Sequence, residues 1–302
     1  MDRILSIVVP TDFSPLSEAA AVRAATLDRV HEATIHLVHA VRFPLVATPY
    51  EISVPAGVYE GVRRAAQEKL EEARKTIERK VGQTVTAEIA DSSDPVQAIA
   101  NAVEAHAADL VAMATHGHSG IKHAFLGGVA ERTLRTLDRP ILAVKDHPAR
   151  AADPISRILL AVDFSVHSDR AVEVAAGLGK RLAASVDIVH AFDLPRDYIP
   201  YASSFAVEFE RKIQASAAER LEEIAEGLKE TQVPVTLHSR RGRPSLVIAA
   251  VAAEIGCQLI VMGTRGNNGL AHVLLGSVAE RTLRKAPCSV LAVKGKELYA
   301  DG

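Results

Sequence analysis

The chain has 302 residues, 48% of them apolar but only 4% aromatic with no Trp, and its 35 basic and 37 acidic side chains leave a net charge of −2. The core must therefore be built from Val, Ile, Leu and Ala, and no basic excess exists to drive phosphate-backbone binding, so no nucleic-acid partner is expected. No run approaches the ~18 apolar residues of a membrane span, and the start MDRILSIVVPTD lacks a secretory leader's length and cleavage site, so a cytoplasmic protein with no membrane partner is expected.

In chain order, apolar runs alternate with helical spacing. In the first half, strands are expected near 3–10, 34–41, 84–90, 109–114 and 140–145, and helices near 16–31, 58–80, 95–107 and 127–137. Ser14 and Asp94-Pro95 supply helix-start chemistry, a cap and a Pro at the first turn. Asp146 to Pro154 (DHPARAADP) reads as a short polar linker. The second half repeats the plan, with strands near 156–162, 185–192, 234–240, 258–263 and 289–294. Five strands joined by helical crossovers make each half a parallel, doubly wound α/β sheet. The expected domains are residues 1–146 and 155–296.

The two halves are one domain written twice. Ile7 to Ser14 (IVVPTDFS) aligns with Ile158 to Ser165 (ILLAVDFS), and His39-Ala40 with His190-Ala191. LGGVAERTLR (126–135) aligns with LGSVAERTLR (275–284), and both halves close on Leu-Ala-Val-Lys. The offset drifts only from 151 to 149 residues along the chain, as a tandem duplication requires.

The helical segments 60–80 and 205–230 carry charge runs such as EKLEEARKTIERK, read as a solvated face with i,i+4 pairs. The Pro-containing loops before them, 42–57 and 193–204, lie on the carboxyl-end side of the sheet, where ligands bind in such folds. Their Tyr50, Tyr198 and Tyr201 either cover a ligand or pack locally.

The richest stretch runs from Leu259 to Lys294. The apolar run Leu259 to Met262 reads as a buried strand; Gly263, Gly266 and Gly269 follow at once, and Gly276-Ser277 opens a helical segment. Glycines admit close backbone approach to a ligand, and a helix start offers free N–H groups suited to phosphate. The pattern is a phosphate cradle or a pair of ordinary βα loops. Asp163, after the first strand of this half, either faces that loop or caps the next helix.

Gly263-x2-Gly266-x9-Gly276-Ser277, with IVMGTRG before it and LLGSVAERTLRKAPCSVLAVK after, resembles the ATP-binding signature of the universal stress protein family. The resemblance covers nearly the whole chain, once per half. It implies strand order 3-2-1-4-5 in an adenine nucleotide alpha hydrolase-like fold, with an adenine nucleotide, ATP, as ligand and Mg²⁺ as its companion. By the resemblance, Ala161, Val162 and Asp163 meet the nucleoside end and the Ala191 backbone meets the adenine edge. Gly263, Thr264, Arg265, Gly266, Gly269, Gly276, Ser277 and Val278 then wrap ribose and phosphates. Family members commonly pair through the last strand, which implies pairing of the two halves within the chain and leaves a homodimer open.

The first half departs from the signature: Ala114 replaces the first glycine and Gly128 the serine. Asp12, Ala40, Gly117, Gly127 and Gly128 therefore mark a weaker site. A Cβ at 114 crowds the ligand or strains a left-handed backbone, and the missing hydroxyl forfeits a hydrogen bond of about 1 kcal/mol.

No metal site is expected. His116, His118 and His123 sit close in sequence, but no carboxylate or Cys joins them. His39 and His190, at matching strand ends, read as hydrogen-bonded structural residues, and Cys257 and Cys288 as buried free thiols. No G-x4-G-K-[ST] stretch occurs, and no Lys lies between Gly263 and Ser277. A nucleotide-holding stress regulator is thus the first expectation. The alternatives are a slow ATP hydrolase or nucleotidyl-transfer enzyme using Asp163 and Arg265, and a nucleotide-free scaffold.

Overall fold

In a computed structural model of the chain, the described residues are 4–28, 32–41, 56–90, 92, 94–115, 126–145, 148–193, 205–229, 231–266 and 275–294. Tyr50, Tyr198, Tyr201, His116, Gly117, His118, His123 and Gly269 lie outside them. The chain forms two compact units that divide between Asp153 and Pro154.

The first unit runs β1 (Ser6–Pro10), α1 (Pro15–Ala25), β2 (Thr34–Ala40), α2 (Ala56–Val81), β3 (Val85–Ala90), α3 (Pro95–Ala105), β4 (Leu110–Ala114), α4 (Gly128–Thr136) and β5 (Ile141–Val144). Its strands are all parallel, in the order β3-β2-β1-β4-β5. The second unit runs β6 (Arg157–Val162), α5 (Val166–Leu182), β7 (Ser185–Phe192), α6 (Phe205–Lys229), β8 (Val235–Arg241), α7 (Pro244–Ile255), β9 (Leu259–Gly263), α8 (Ser277–Lys285) and β10 (Ser289–Val293). Its parallel order β8-β7-β6-β9-β10 is the same topology, 3-2-1-4-5.

Burial explains the strand sequences. Central strands are covered on both faces, so β4 (LVAMA) and β9 (LIVMG) are apolar at successive positions, with Leu110, Val111, Leu259, Ile260 and Val261 fully buried. The outermost β8 reads VTLHSRR and is largely exposed. The charged helix α2 docks through Ala66, Leu70 and Ile77, one stripe at helical spacing. Burying such a Leu or Ile side chain contributes roughly 1.5–3 kcal/mol. Its charged face carries the expected i,i+4 pairing, Arg74 meeting Glu78 at 2.8 Å, and Arg74 also meets Glu71 at i,i+3 and 2.8 Å.

Caps place the helix starts. Ser14 Oγ accepts from Ser17 N at 3.2 Å, and Asp94 Oδ1 accepts from Val96 N at 3.1 Å, with Pro15 and Pro95 in the first turns. The first helix is shorter than its sequence pattern: α1 stops at Ala25. There Thr26 Oγ1 donates to Arg23 O at 2.7 Å, and Asp28 Oδ2 accepts from Ala33 N at 2.7 Å. Short polar side chains that bond the local backbone compete with helix propagation.

The segment expected as a linker is partly docked. Residues Pro148–Arg150 form a 3₁₀ turn, Ala151 is fully buried, and the buried Arg23 guanidinium donates to Asp153 O at 2.7 Å and Arg150 O at 2.6 Å. Arg23 thus fastens residues 150–153 to α1. Among the described residues, no helix is long and apolar enough to cross a membrane.

Candidate functional site

In the second unit, a cavity of about 490 Å³ opens at the carboxyl ends of β6, β7 and β9. Ala161, Val162 and Asp163 line it from β6, Ala191 from β7, and Gly263, Thr264, Arg265 and Gly266 from β9 and the loop after it. Gly276, Ser277 and Val278 contribute the start of α8, and Pro244 and Ile248 the start of α7. Parallel strands converge on such a crevice because their carboxyl ends share one edge of the sheet. Every second-half residue that the resemblance assigns to the nucleotide, apart from the undescribed Gly269, lines this one cavity.

Asp163 is held in a fixed pose. Its Oδ1 accepts from Ser165 N at 3.1 Å and from Ser165 Oγ at 2.6 Å, a local turn closed by the side chain. Between them Phe164 has φ +61, a left-handed conformation that a bulky side chain rarely adopts. Its ring packs on His190 at 4.2 Å between centroids, and the Arg220 guanidinium lies 4.4 Å above it. Arg220 Nη2 also donates to Phe164 O at 3.3 Å, and His190 Nδ1 pairs with Val162 O at 3.0 Å. Burial lowers the His190 pKa, against the Val162 carbonyl and the nearby Asp163, which raise it. His190 is therefore a neutral structural group whose Nδ1–H donates to the strand end.

The other carboxylate oxygen of Asp163 explains a glycine. A Cβ on Gly266 would lie 2.2 Å from Asp163 Oδ2, closer than any side chain allows. A Cβ on Gly276 would lie 3.2 Å from Thr264 O, the carbonyl that accepts from Gly276 N at 2.7 Å. Gly263 is needed for a different reason than ligand clearance: its Cβ would meet His167 O at 3.0 Å, in the first turn of α5. Neither Gly263 nor Ala114 has a positive φ, so the expected left-handed strain at 114 is absent. Thr264 is 1% exposed, and its Oγ1 has no hydrogen-bond partner among the described residues.

The first unit builds a similar cavity of about 480 Å³, lined by Asp12, Ala40, Ala114, Gly127 and Gly128 among others. The same devices recur. Asp12 Oδ1 accepts from Ser14 N at 3.0 Å, Phe13 has φ +64 and packs on His39 at 4.2 Å, and His39 Nδ1 pairs with Thr11 O at 2.8 Å. Gly127 N donates to Thr115 O at 2.8 Å, as Gly276 does to Thr264. A Cβ on Gly128 would meet nothing within 4 Å, so this position has room for the serine it lacks.

The strained Phe-His pair at both crevices was not recognised from sequence, although Asp-Phe-Ser and His-Ala recur in both halves. Among the described residues, no group of three His, Cys, Asp or Glu side chains could hold a metal ion. Cys257 and Cys288 are buried and unbridged, with their sulfurs 3.7 Å apart.

The model of the universal stress protein family matches the chain twice, over residues 4–145 and 154–294. A universal stress protein of Mycolicibacterium smegmatis is 27% identical over 296 residues, covering 95% of this chain and 96% of that one. A Staphylococcus aureus protein named for the same family is 36% identical over 149 residues, 48% of this chain and 87% of its own length. The crystal structure of a universal stress protein from Archaeoglobus fulgidus superposes with a TM-score of 0.66 at 24% identity, covering 96% of this chain and 98% of that one. At that identity the likeness shows the fold.

Proposed function

We propose that this chain, which belongs to the universal stress protein family, binds an adenine nucleotide and uses its occupancy to regulate a stress response, with ATP held chiefly in the second-unit crevice. The observation that carries this reading is Gly266, whose missing side chain lets the loop close against the oriented Asp163 carboxylate on a cavity of about 490 Å³. Such a loop leaves the backbone open to a ligand on its other side. The residues fit the nucleotide. Asp163 is placed for ribose hydroxyls, the Ala191 backbone for the adenine edge, and the orphaned Thr264 hydroxyl for a further polar contact. The N–H groups at the start of α8 and the Ser277 hydroxyl suit phosphate oxygens.

Mg²⁺ would come with the triphosphate, held mainly by phosphate oxygens, with Asp163 as the carboxylate lining the crevice. Its chemistry there is charge neutralisation of the phosphates. Domain 1 is the weaker site, because Gly128 supplies no hydroxyl. A cytoplasmic location and whole-chain dimers are further parts of the reading, tested by fractionation and by light scattering.

The test is to heat-denature the purified chain, remove the protein, and identify and count the released nucleotide by chromatography. ATP near one per chain is the expected result. No released nucleotide, together with no ATP binding by calorimetry, overturns the reading in favour of a nucleotide-free scaffold.

A further inference from the structure

The two crevices differ in charge beside one rim. In the first unit, Asp94 is the N-cap of α3 and also an ion-pair partner: Arg132 on α4 donates to its two carboxylate oxygens, Nη1 to Oδ1 at 3.1 Å and Nη2 to Oδ2 at 2.6 Å. Pro95 and Gly128, the first residues of these two helices, line the crevice, so the bridge ties the two helices together beside its rim. In the second unit, at an offset of 149 residues, the N-cap of α7 is Arg243, and Arg281 stands on α8 where Arg132 stands on α4. Pro244 and Ser277, the first residues of α7 and α8, line the crevice in turn. A guanidinium has replaced the carboxylate.

The consequences follow from charge. Arg243 makes no side-chain cap, so the start of α7 lacks the acceptor that Asp94 gives α3. Both Arg243 and Arg281 are exposed, and among the described residues neither side chain has a hydrogen bond or ion pair. A neutral, closed bridge in one half becomes two cations in the other, at positions that form an ion pair in the first. Like charges there repel until an anion sits between them, and guanidinium groups bind phosphate by paired hydrogen bonds.

We infer that Arg243 and Arg281 are specificity residues that tune the second crevice to the phosphate charge of its ligand, favouring triphosphate over monophosphate and nucleoside. The inference rests on the nucleotide reading above and names which nucleotides the site prefers. The first crevice, with its rim neutralised by Asp94, discriminates little between them.

The test is a swap. Arg243→Asp installs the first unit's carboxylate opposite Arg281. Because Asp is a favoured N-cap, this variant should be no less stable than wild type, and its melting temperature checks folding. Adenosine, AMP, ADP and ATP are titrated calorimetrically into the full chain, with a Gly276→Val chain reporting the first crevice for subtraction. The expected result is that wild type binds more tightly with each added phosphate. In Arg243→Asp, ATP affinity should fall about tenfold, while adenosine affinity changes less than about twofold. Arg281→Gln should weaken ATP in the same direction, and the salt sensitivity of ATP binding should drop in both. An unchanged ATP-to-adenosine ratio in both variants overturns this inference while leaving nucleotide binding intact. No binding of either ligand by wild type overturns the nucleotide reading and this inference with it.

Discussion

Asp163 and Gly266 share one space: a Cβ at residue 266 would lie 2.2 Å from Asp163 Oδ2. The carboxylate cannot yield freely, because Ser165 N and Oγ hold its other oxygen at 3.1 and 2.6 Å. A pairwise prediction follows. Gly266→Ala should lower stability by about 1–3 kcal/mol, as overpacking does, and reduce ATP binding. Adding Asp163→Ala should restore much of the stability without restoring binding. A double-mutant cycle by urea unfolding reads this coupling; additive effects would contradict it.

Gly276 sits where α8 begins, and a Cβ there would lie 3.2 Å from Thr264 O. Val adds two methyl groups beyond that Cβ, on a residue that lines the crevice. Purified Gly276→Val should come off without nucleotide while the first unit is unaffected. Counting released nucleotide per chain, beside a melting curve to show folding, checks it.

Arg23 is 1% exposed and holds two carbonyls, those of Asp153 and Arg150. Arg23→Leu keeps bulk but leaves both carbonyls without that donor, which should cost about 1–3 kcal/mol. Residues 148–153 should then become the first site cut by a protease, read by mass spectrometry. Unchanged cleavage would show that the turn holds itself.

Asp187 is fully buried, at the amino ends of the strands rather than in the crevice. Burial alone would raise its pKa, but hydrogen bonds from Arg157 at 2.7 Å and His238 at 2.7 Å together lower it. Removing it leaves Arg157 and His238 without their anion, so Asp187→Ala should destabilise the second unit by about 3 kcal/mol. ATP binding measured well below the melting temperature should persist. Loss of binding without loss of stability would move this cluster into the functional site.

His190 gives a pH dependence of known sign. Its pKa is lowered from 6.5 chiefly by burial, so the unfolded chain binds the proton more readily than the folded one. Its contribution to stability is present above about pH 6.5 and is lost as pH falls through the lowered value. Urea unfolding should therefore show falling stability below about pH 6.5, and His190→Gln should flatten that part of the profile. An identical slope in the variant would assign the effect elsewhere.

Much of this molecule was legible in the residues alone. The repeat and the ten parallel strands follow from local pattern, whereas the strand order, and with it the convergence of Asp163 with Gly263, Gly266 and Gly276, came from the family resemblance. Local pattern misjudged α1, whose end is set by Thr26 and Asp28 bonding the backbone, and the linker, whose last residues are pinned by Arg23.

The sequence by itself determined the duplicated fold and which loop carries the spaced glycines, because periodicity, apolar runs and glycine spacing are one-dimensional signals. Only the tertiary structure decided why each glycine is there: Gly266 for Asp163, Gly263 for the backbone of α5, Gly276 for Thr264. It alone revealed the strained Phe164 braced by His190 and Arg220, and the exchange of an Asp94–Arg132 bridge for two arginines that pair with no described residue. Those relationships join residues ~10–100 positions apart, and such contacts exist only once the chain has paid the entropy of bringing them together.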